Sequence, residues 1–218
     1  MTSLRRLLPG ALLVCLGACT QGGAAIVDTF RAAVRADTRA DRATLDPALR
    51  YLRVVANGRP VLLVLGDVDA DPAGPVEVWY SAEREVLRLQ GGRLAGVAGL
   101  TTEWRQVGIP ALPGWRQLAP GQQWERTRDV MPGYRYGVAE TLSVRPVPVP
   151  SGTALKDLDP KTLLWFEETL QTRHPVADLR LPAARYAVGV EGDTEQVVYA
   201  EQCVAPDLCL SWQRWPPR

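Results

Sequence analysis

A chain of 218 residues with 25 basic and 24 acidic side chains has no charge excess that would draw it to nucleic acid. Its length suits one domain with a sizeable core. The 19 glycines and 18 prolines are spread along the chain, a composition typical of a domain built from many short strands and turns.

The N-terminus has the pattern of an export signal. The pair Arg5-Arg6 precedes an apolar stretch, residues 7–16, which is too short to span a bilayer as a helix. This stretch runs into Leu16-Gly17-Ala18-Cys19, which looks like the lipobox of a bacterial lipoprotein. We therefore predict a signal peptide over residues 1–18 and lipid attachment at Cys19, with acyl chains such as palmitate. A plain secretory peptide cut nearby and a buried N-terminal helix are the alternatives.

Lipidation would hold the mature chain at a membrane, because two or more acyl chains anchor a protein stably. Thr20 follows the modified cysteine. Lipoproteins that stay in the inner membrane commonly have an aspartate at this position. We therefore expect a lipid-anchored protein at the periplasmic face of the outer membrane.

The chain after the lipobox divides into two parts. Residues 19–48 are small, polar and charged, and we predict a tether with one short helix. Asp28 is a suitable N-cap for that helix, which would run through Ala36. Residues 49–218 are predicted to form a single all-β domain.

Short apolar runs separated by turn residues continue from Leu49 onward. Asn57-Gly58 favours a tight hairpin turn, and the nearly continuous apolar run after it indicates a central strand. Proline and glycine make residues 108–121 a loop, and residues 211–218 are predicted to be a tail. Strands are predicted at 51–56, 60–68, 76–80, 85–90, 93–98, 101–107, 122–130, 134–145, 186–190 and 196–202. Such a series favours an antiparallel meander that forms a barrel or a sandwich.

One segment, residues 163–169, is compatible with either a helix or a strand. Its sequence, LLWFEET, has few β-branched residues. Its shortness and its β surroundings favour a strand.

Two cysteines near the C-terminus, Cys203 and Cys209, are predicted to form a disulfide in an oxidising periplasm. Zinc binding is the alternative reading of the pair. The single histidine, His174, is distant in sequence, and two thiolates alone do not complete a zinc site.

No sequence pattern indicates a catalytic centre, so we predict no catalytic residue, no cofactor and no metal. The glycine motifs of phosphate-binding loops and of elbow hydrolases do not occur. Glu167 and Glu168 would point to opposite faces of a strand and cannot readily serve one glycosidic bond. Asp67, Asp69 and Asp71 have the spacing that begins a calcium loop, but a proline stands where that loop needs glycine.

Seven tryptophans are the other unusual feature, since aromatic rings can stack on sugars. Four of them lie in strand patterns and are predicted to be core residues: Trp79, Trp104, Trp124 and Trp165. Trp115 lies in the Pro/Gly loop, and Trp212 and Trp215 follow the cysteine pair. These three are the better candidates for an exposed surface that binds glycan or a protein partner, and packing or a protein interface is the favoured interpretation even for them.

Three segments resemble a known family: VLLVLGDV, VEVWYSAEREVLRLQGGRLAGVAGL and VVYAEQCVAPDLCL. They contain Trp79-Tyr80-Ser81 at the end of a strand, a Gly92-Arg93-Leu94 hairpin, Gly99-Leu100 and Gln202. With the lipobox, they are similar to the YjbF/GfcB family, the group four capsule polysaccharide lipoproteins. The resemblance covers most of residues 49–210.

The resemblance implies an all-β, barrel-like meander and an outer-membrane lipoprotein encoded with capsule or exopolysaccharide export genes. It implies no catalyst, and the shared residues look like turn and core positions. We therefore expect a non-enzymatic lipoprotein that assists assembly or export of capsule or exopolysaccharide. Its partners would be the membrane, through the lipid, and polysaccharide export proteins or the polysaccharide. A periplasmic glycan-binding module and a carboxylate-dependent glycan-modifying enzyme are the alternatives.

Overall fold

The computed structural model describes residues 43–173 and 180–217, and within them the chain forms twelve β-strands. Two single 3-10 turns, Trp115–Gln117 and Pro160–Thr162, are the helical elements of this part. The strands are β1 Tyr51–Ala56, β2 Arg59–Asp69, β3 Val76–Tyr80, β4 Val86–Gln90, β5 Arg93–Ala98, β6 Glu103–Gly108, β7 Gln123–Met131, β8 Arg135–Val147, β9 Leu164–Thr172, β10 Ala184–Glu191, β11 Thr194–Ala205 and β12 Leu208–Trp215.

Each strand pairs antiparallel with its neighbours in sequence, and the first strand pairs with the last, so the sheet closes into a ring. The closing pair β1–β12 runs in register from Tyr51 opposite Trp215 to Ala56 opposite Leu210. The prediction of an all-β antiparallel meander is confirmed.

Most of the strands lie where the sequence places them, including the ambiguous segment, which is β9. The predicted tail is wrong, because residues 208–215 form β12, the strand that closes the ring. The alternation of inward apolar residues in β12 is hard to recognise in the sequence, because it is interrupted by Gln213 and Arg214 and followed by two prolines. The predicted signal peptide, Cys19 and the short helix lie outside the described residues.

The interior of the ring holds the main core. It is filled by inward aliphatic side chains from all the strands and by large aromatic ones, among them Trp79, Trp104 and Tyr186, each at most 1% exposed. A smaller cluster of Trp165, Ala187 and Tyr199 packs on the outside. The β8–β9 connection crosses that outer face, where the Ala154 N–H donates to the Tyr199 hydroxyl.

Successive antiparallel strands place their connections alternately at the two ends of the ring. We call the end that carries connections 70–75, 91–92, 109–122 and 192–193 the lower end. The end that carries 57–58, 81–85, 99–102, 132–134 and 206–207 is the upper end. Within residues 43–173 and 180–217, no helix is long and apolar enough to cross a membrane.

Candidate functional site

Five charged side chains are buried together inside the ring. Arg126 and Arg128 lie two residues apart on β7 and therefore share its inner face. Glu140 of β8 stands directly opposite Arg126 in the register. The other two members, Arg93 and Glu168, come from β5 and β9. All five are at most 4% exposed, so their charges must be balanced locally.

Glu140 joins the two arginines of β7. The Arg126 Nε lies 2.8 Å from Glu140 Oε2, and the Arg128 Nε and Nη2 lie 3.0 Å from Oε1. The Trp104 ring covers both guanidiniums, with centroid distances of 5.2 Å and 4.6 Å. Burial lowers the pKa of the Arg128 guanidinium, and the adjacent Glu140 carboxylate opposes that effect.

Glu168 organises the other half of this network. The Arg93 Nε donates to Glu168 Oε2 at 2.7 Å, and the Tyr186 hydroxyl lies 3.4 Å from Oε1. The same hydroxyl lies 3.3 Å from Gln202 Oε1. Burial raises the pKa of the Tyr186 hydroxyl well above its usual value, and the Glu168 charge adds to this, so the hydroxyl keeps its proton as a donor. Arg126 Nη1, 4.0 Å from Glu168 Oε1, connects the two halves.

The network has three guanidiniums for two carboxylates. Four of its buried nitrogen atoms have no hydrogen-bond partner: Arg93 Nη2, Arg126 Nη1 and Nη2, and Gln202 Nε2. Unpartnered buried donors are costly, and at a functional site they indicate where an acceptor can be bound. An acceptor that reached these donors would satisfy them, and an anionic one would also offset the excess positive charge.

A pocket of about 360 Å³ opens at the lower end and reaches this network at Arg93. Its lining includes Glu77, Arg93, Leu112, Trp115, Glu195 and Arg214. Each of its two carboxylates is held by an arginine. Arg214 Nη2 donates to both oxygens of Glu77, at 2.9 and 3.0 Å, and Arg116 Nε donates to Glu195 Oε1 at 2.6 Å.

Glu195 is held in its charged form. Desolvation would raise its pKa, but the hydrogen bonds from the Arg116 side chain and from backbone N–H groups outweigh it and lower the pKa below the usual value. A carboxylate of this kind accepts hydrogen bonds from a ligand and is poorly suited to donate a proton as a general acid.

Trp115 and Trp212 are buried, so an exposed surface at these two positions is wrong and the alternative of packing applies. Trp115 is 6% exposed because its loop folds into the lower end, where the ring packs 5.2 Å from Phe166 and 5.0 Å from Tyr186. Trp212 is 2% exposed because it points inward from β12. Trp215 is half-buried, with the Arg53 guanidinium 5.8 Å from its ring centroid.

The structure also shows where the predicted disulfide and the adjacent glutamates of β9 lie. Cys203 and Cys209 form the predicted disulfide between directly opposed positions of β11 and β12. Glu167 and Glu168 point to opposite faces as expected, Glu168 into the ring and Glu167 toward Arg145 outside it. Among the described residues, no group of His, Cys, Asp and Glu is arranged to hold a metal ion.

The most exposed aromatic residues of the described chain are two tyrosines that the sequence did not single out. Tyr134 and Tyr136 are 77% and 65% exposed at the β7–β8 hairpin of the upper end. The Met131-Pro132-Gly133 turn beside them was the available signal, since side chains next to a tight hairpin turn often point to solvent.

The fold and the pocket define a closed antiparallel domain with a charged interior and a polar opening at one end. The model of the family described as group 4 capsule polysaccharide lipoprotein GfcB, YjbF matches residues 28–212. The chain therefore belongs to the YjbF family of group 4 capsule polysaccharide lipoproteins.

A solved structure has a similar fold. It is that of the hypothetical lipoprotein YmcC from Escherichia coli (K12), with a TM-score of 0.62 and 17% sequence identity. The match covers 92% of this chain and 99% of that one. No curated protein sequence matches the chain.

Proposed function

We propose that this protein is a non-enzymatic accessory lipoprotein that assists assembly or export of a capsule polysaccharide or exopolysaccharide. The observation that carries the proposal is the family match over residues 28–212, which includes every strand from β1 to β11 and most of β12. Polysaccharide export proteins, or the polysaccharide itself, would be its partners.

The proposed anchor is Cys19, at the end of the apolar stretch. Its acyl chains would hold the domain at the periplasmic face of the outer membrane. The disulfide on the outer face of β11 and β12 is consistent with an oxidising compartment.

The pocket supports binding more readily than catalysis. Glu195 accepts hydrogen bonds from Arg116, which lower its pKa and favour the ionised carboxylate. A glycosidase of the usual kind needs one carboxyl group that keeps its proton.

The test is deletion of the gene, followed by measurement of surface polysaccharide under conditions in which it is made. We expect reduced surface polysaccharide, restored by the wild-type gene supplied in trans. An unchanged polysaccharide profile would contradict the proposed role.

A glycan-modifying enzyme remains the second candidate, because Glu77 and Glu195 line one pocket. If that candidate were correct, Glu77→Gln and Glu195→Gln would each abolish cleavage of the polysaccharide by the purified protein. The accessory role predicts instead that the wild-type protein leaves chain length unchanged in size-exclusion chromatography.

A further inference from the structure

We propose that the lower pocket binds an acidic sugar residue, whose carboxylate is hydrogen-bonded by the Arg93 guanidinium. The inference rests on the proposed function for the class of ligand, a polysaccharide, and adds the site and the chemical type of the sugar. Four observations carry it: the position of Arg93, the charge balance, the acceptors on the pocket wall and the bare backbone beside Arg93.

Arg93 is the residue at which the pocket and the buried network meet. It lines the pocket, while its Nε is bound to Glu168 inside the ring. Its Nη2 has no hydrogen-bond partner although the residue is only 4% exposed. Trp115 lies against the guanidinium, with its ring centroid 3.8 Å from Cζ, and holds the guanidinium in place. Because the unpartnered Nη2 is itself buried, a ligand carboxylate has to enter the inner end of the pocket to reach it. A guanidinium held in place suits a planar carboxylate there.

The charges around Arg93 leave room for one negative charge. Glu77 is neutralised by Arg214, and Glu195 by Arg116. Arg93 itself is the excess charge of the network, because the two guanidiniums behind it, Arg126 and Arg128, are balanced by two carboxylates. One carboxylate in the pocket would offset that excess, whereas a neutral sugar would leave it in place.

The two pocket glutamates distinguish an acidic sugar from a more highly charged anion. Glu77 and Glu195 have oxygen lone pairs that can accept hydrogen bonds from sugar hydroxyls. A phosphate dianion has few donors to offer and would be repelled by the same two carboxylates. A uronate combines one negative charge with several hydroxyl donors, which matches this wall.

The backbone beside Arg93 leaves the pocket open. Gly91 and Gly92 line it without side chains; nothing lies within 4 Å of a Cβ position at Gly91, whereas the backbone at Gly92 packs closely against Val197. Leu112 and Ile109 give the opposite wall an apolar surface. The volume of about 360 Å³ is at the lower end of the range for small-molecule sites and fits one or two sugar rings.

Isothermal titration calorimetry with the purified full chain tests the inference at constant ionic strength. The probes are trigalacturonate, the neutral trisaccharide maltotriose and inorganic phosphate. We expect saturable binding of trigalacturonate and at least about tenfold weaker binding of both other probes, as expected for the loss of one charged hydrogen-bonded pair. Equal binding of maltotriose, stronger binding of phosphate, or no saturable binding of trigalacturonate would overturn the inference.

Two variants locate the binding. Arg93→Lys keeps the charge opposite Glu168 but loses the planar fork, and we expect about tenfold weaker binding of trigalacturonate. Leu112→Trp fills the pocket without removing a charge and should abolish binding. Its control is Leu100→Trp, at a leucine that is also half-buried and packs on the core from the upper end, where binding should be unchanged. Wild-type affinity in the Leu112→Trp variant would also overturn the inference.

Failure of this inference and failure of the proposed function give different results. If trigalacturonate does not bind but gene deletion reduces surface polysaccharide, only the ligand site is wrong. If deletion leaves the polysaccharide unchanged, the proposed function fails whatever the calorimetry shows.

Discussion

At the scale of single residues, Glu140 is the side chain whose substitution best measures how much the buried network contributes to stability. Its carboxylate accepts hydrogen bonds from Arg126 and Arg128, and all three side chains are at most 1% exposed. A buried ion pair adds little net stability over an apolar replacement, but removal of one partner strands the other charge. We therefore expect Glu140→Gln to lower the free energy of unfolding by about 3–5 kcal/mol in urea titrations.

Glu125→Gln is the matched control for this prediction. Glu125 precedes Arg126 on the same strand, and its ion pair with Arg173 is exposed to solvent on both sides, at 55% and 63%. Exposed pairs contribute about 0–1 kcal/mol, so the control should unfold almost as the wild type does. Equal losses in the two variants would show that the interior network is not what makes Glu140 important.

The sequence could not have revealed this network. Arg126 and Arg128 lie in the segment Glu125-Arg126-Thr127-Arg128, which reads as a solvated strand face because arginine is almost never fully buried unless paired. Their partner Glu140 comes from another strand. Arg93 and Gln202 belong to the family resemblance as turn and core positions, a pattern that does not indicate membership of one network.

At the scale of the elements, the close packing of the β4–β5 turn against β11 can be tested by substitution of its glycine. Gly92 has a positive φ of 82°, and a Cβ there would overlap the side chain of Val197. Gly58 in the β1–β2 turn has a similar φ of 74°, but nothing lies within 4 Å of the corresponding position. Gly58→Ala should cost about 1–2 kcal/mol of backbone strain alone.

Gly92→Ala should cost about 1–3 kcal/mol more than Gly58→Ala, because overpacking adds to the same backbone strain. Urea unfolding of the two variants and the wild type measures the difference. Indistinguishable stabilities would mean that the close approach of the β4–β5 turn to β11 is not maintained in solution.

The disulfide links β11 to β12, and β12 also pairs with β1 to close the ring. Cys203 and Cys209 are six residues apart in sequence, so the closed loop is short. Chain entropy alone predicts about 2 kcal/mol for a loop of this size. The double variant Cys203→Ala/Cys209→Ala should therefore lower the free energy of unfolding by about 2 kcal/mol and make it insensitive to reductant. If the wild type is equally insensitive, the disulfide does not contribute to stability.

The elements were more predictable than the sites. Alternating apolar residues and tight turns such as Asn57-Gly58 are local signals, and they place most of the strands correctly. β12 was missed although its hairpin with β11 is local, because polar residues and prolines near its end hide the strand pattern. Its other pairing, with β1, joins the two ends of the chain and is not contained in any local pattern. Trp115 was misjudged for a similar reason, since its loop composition says nothing about the loop folding into the lower end.

At the scale of the whole molecule, the ring leaves a pocket at the lower end, and the described chain enters β1 from that same end. The proposed lipid at Cys19 would anchor this compact domain to the membrane through the tether.

Radiolabelled palmitate should be incorporated into the wild-type protein and not into Cys19→Ala. The Thr20→Ala variant is the control and should be labelled normally. An unlabelled wild-type protein would contradict the lipoprotein assignment of Cys19.

The proposed function combines lipid anchoring at Cys19 with a role in polysaccharide export, and one complementation experiment tests both. Surface polysaccharide is measured in a gene-deletion strain that carries either the wild-type gene or Cys19→Ala, at matched protein levels. The account predicts a reduced amount in the deletion strain, full restoration by the wild type and little restoration by Cys19→Ala. An unchanged amount of surface polysaccharide in the deletion strain would contradict it.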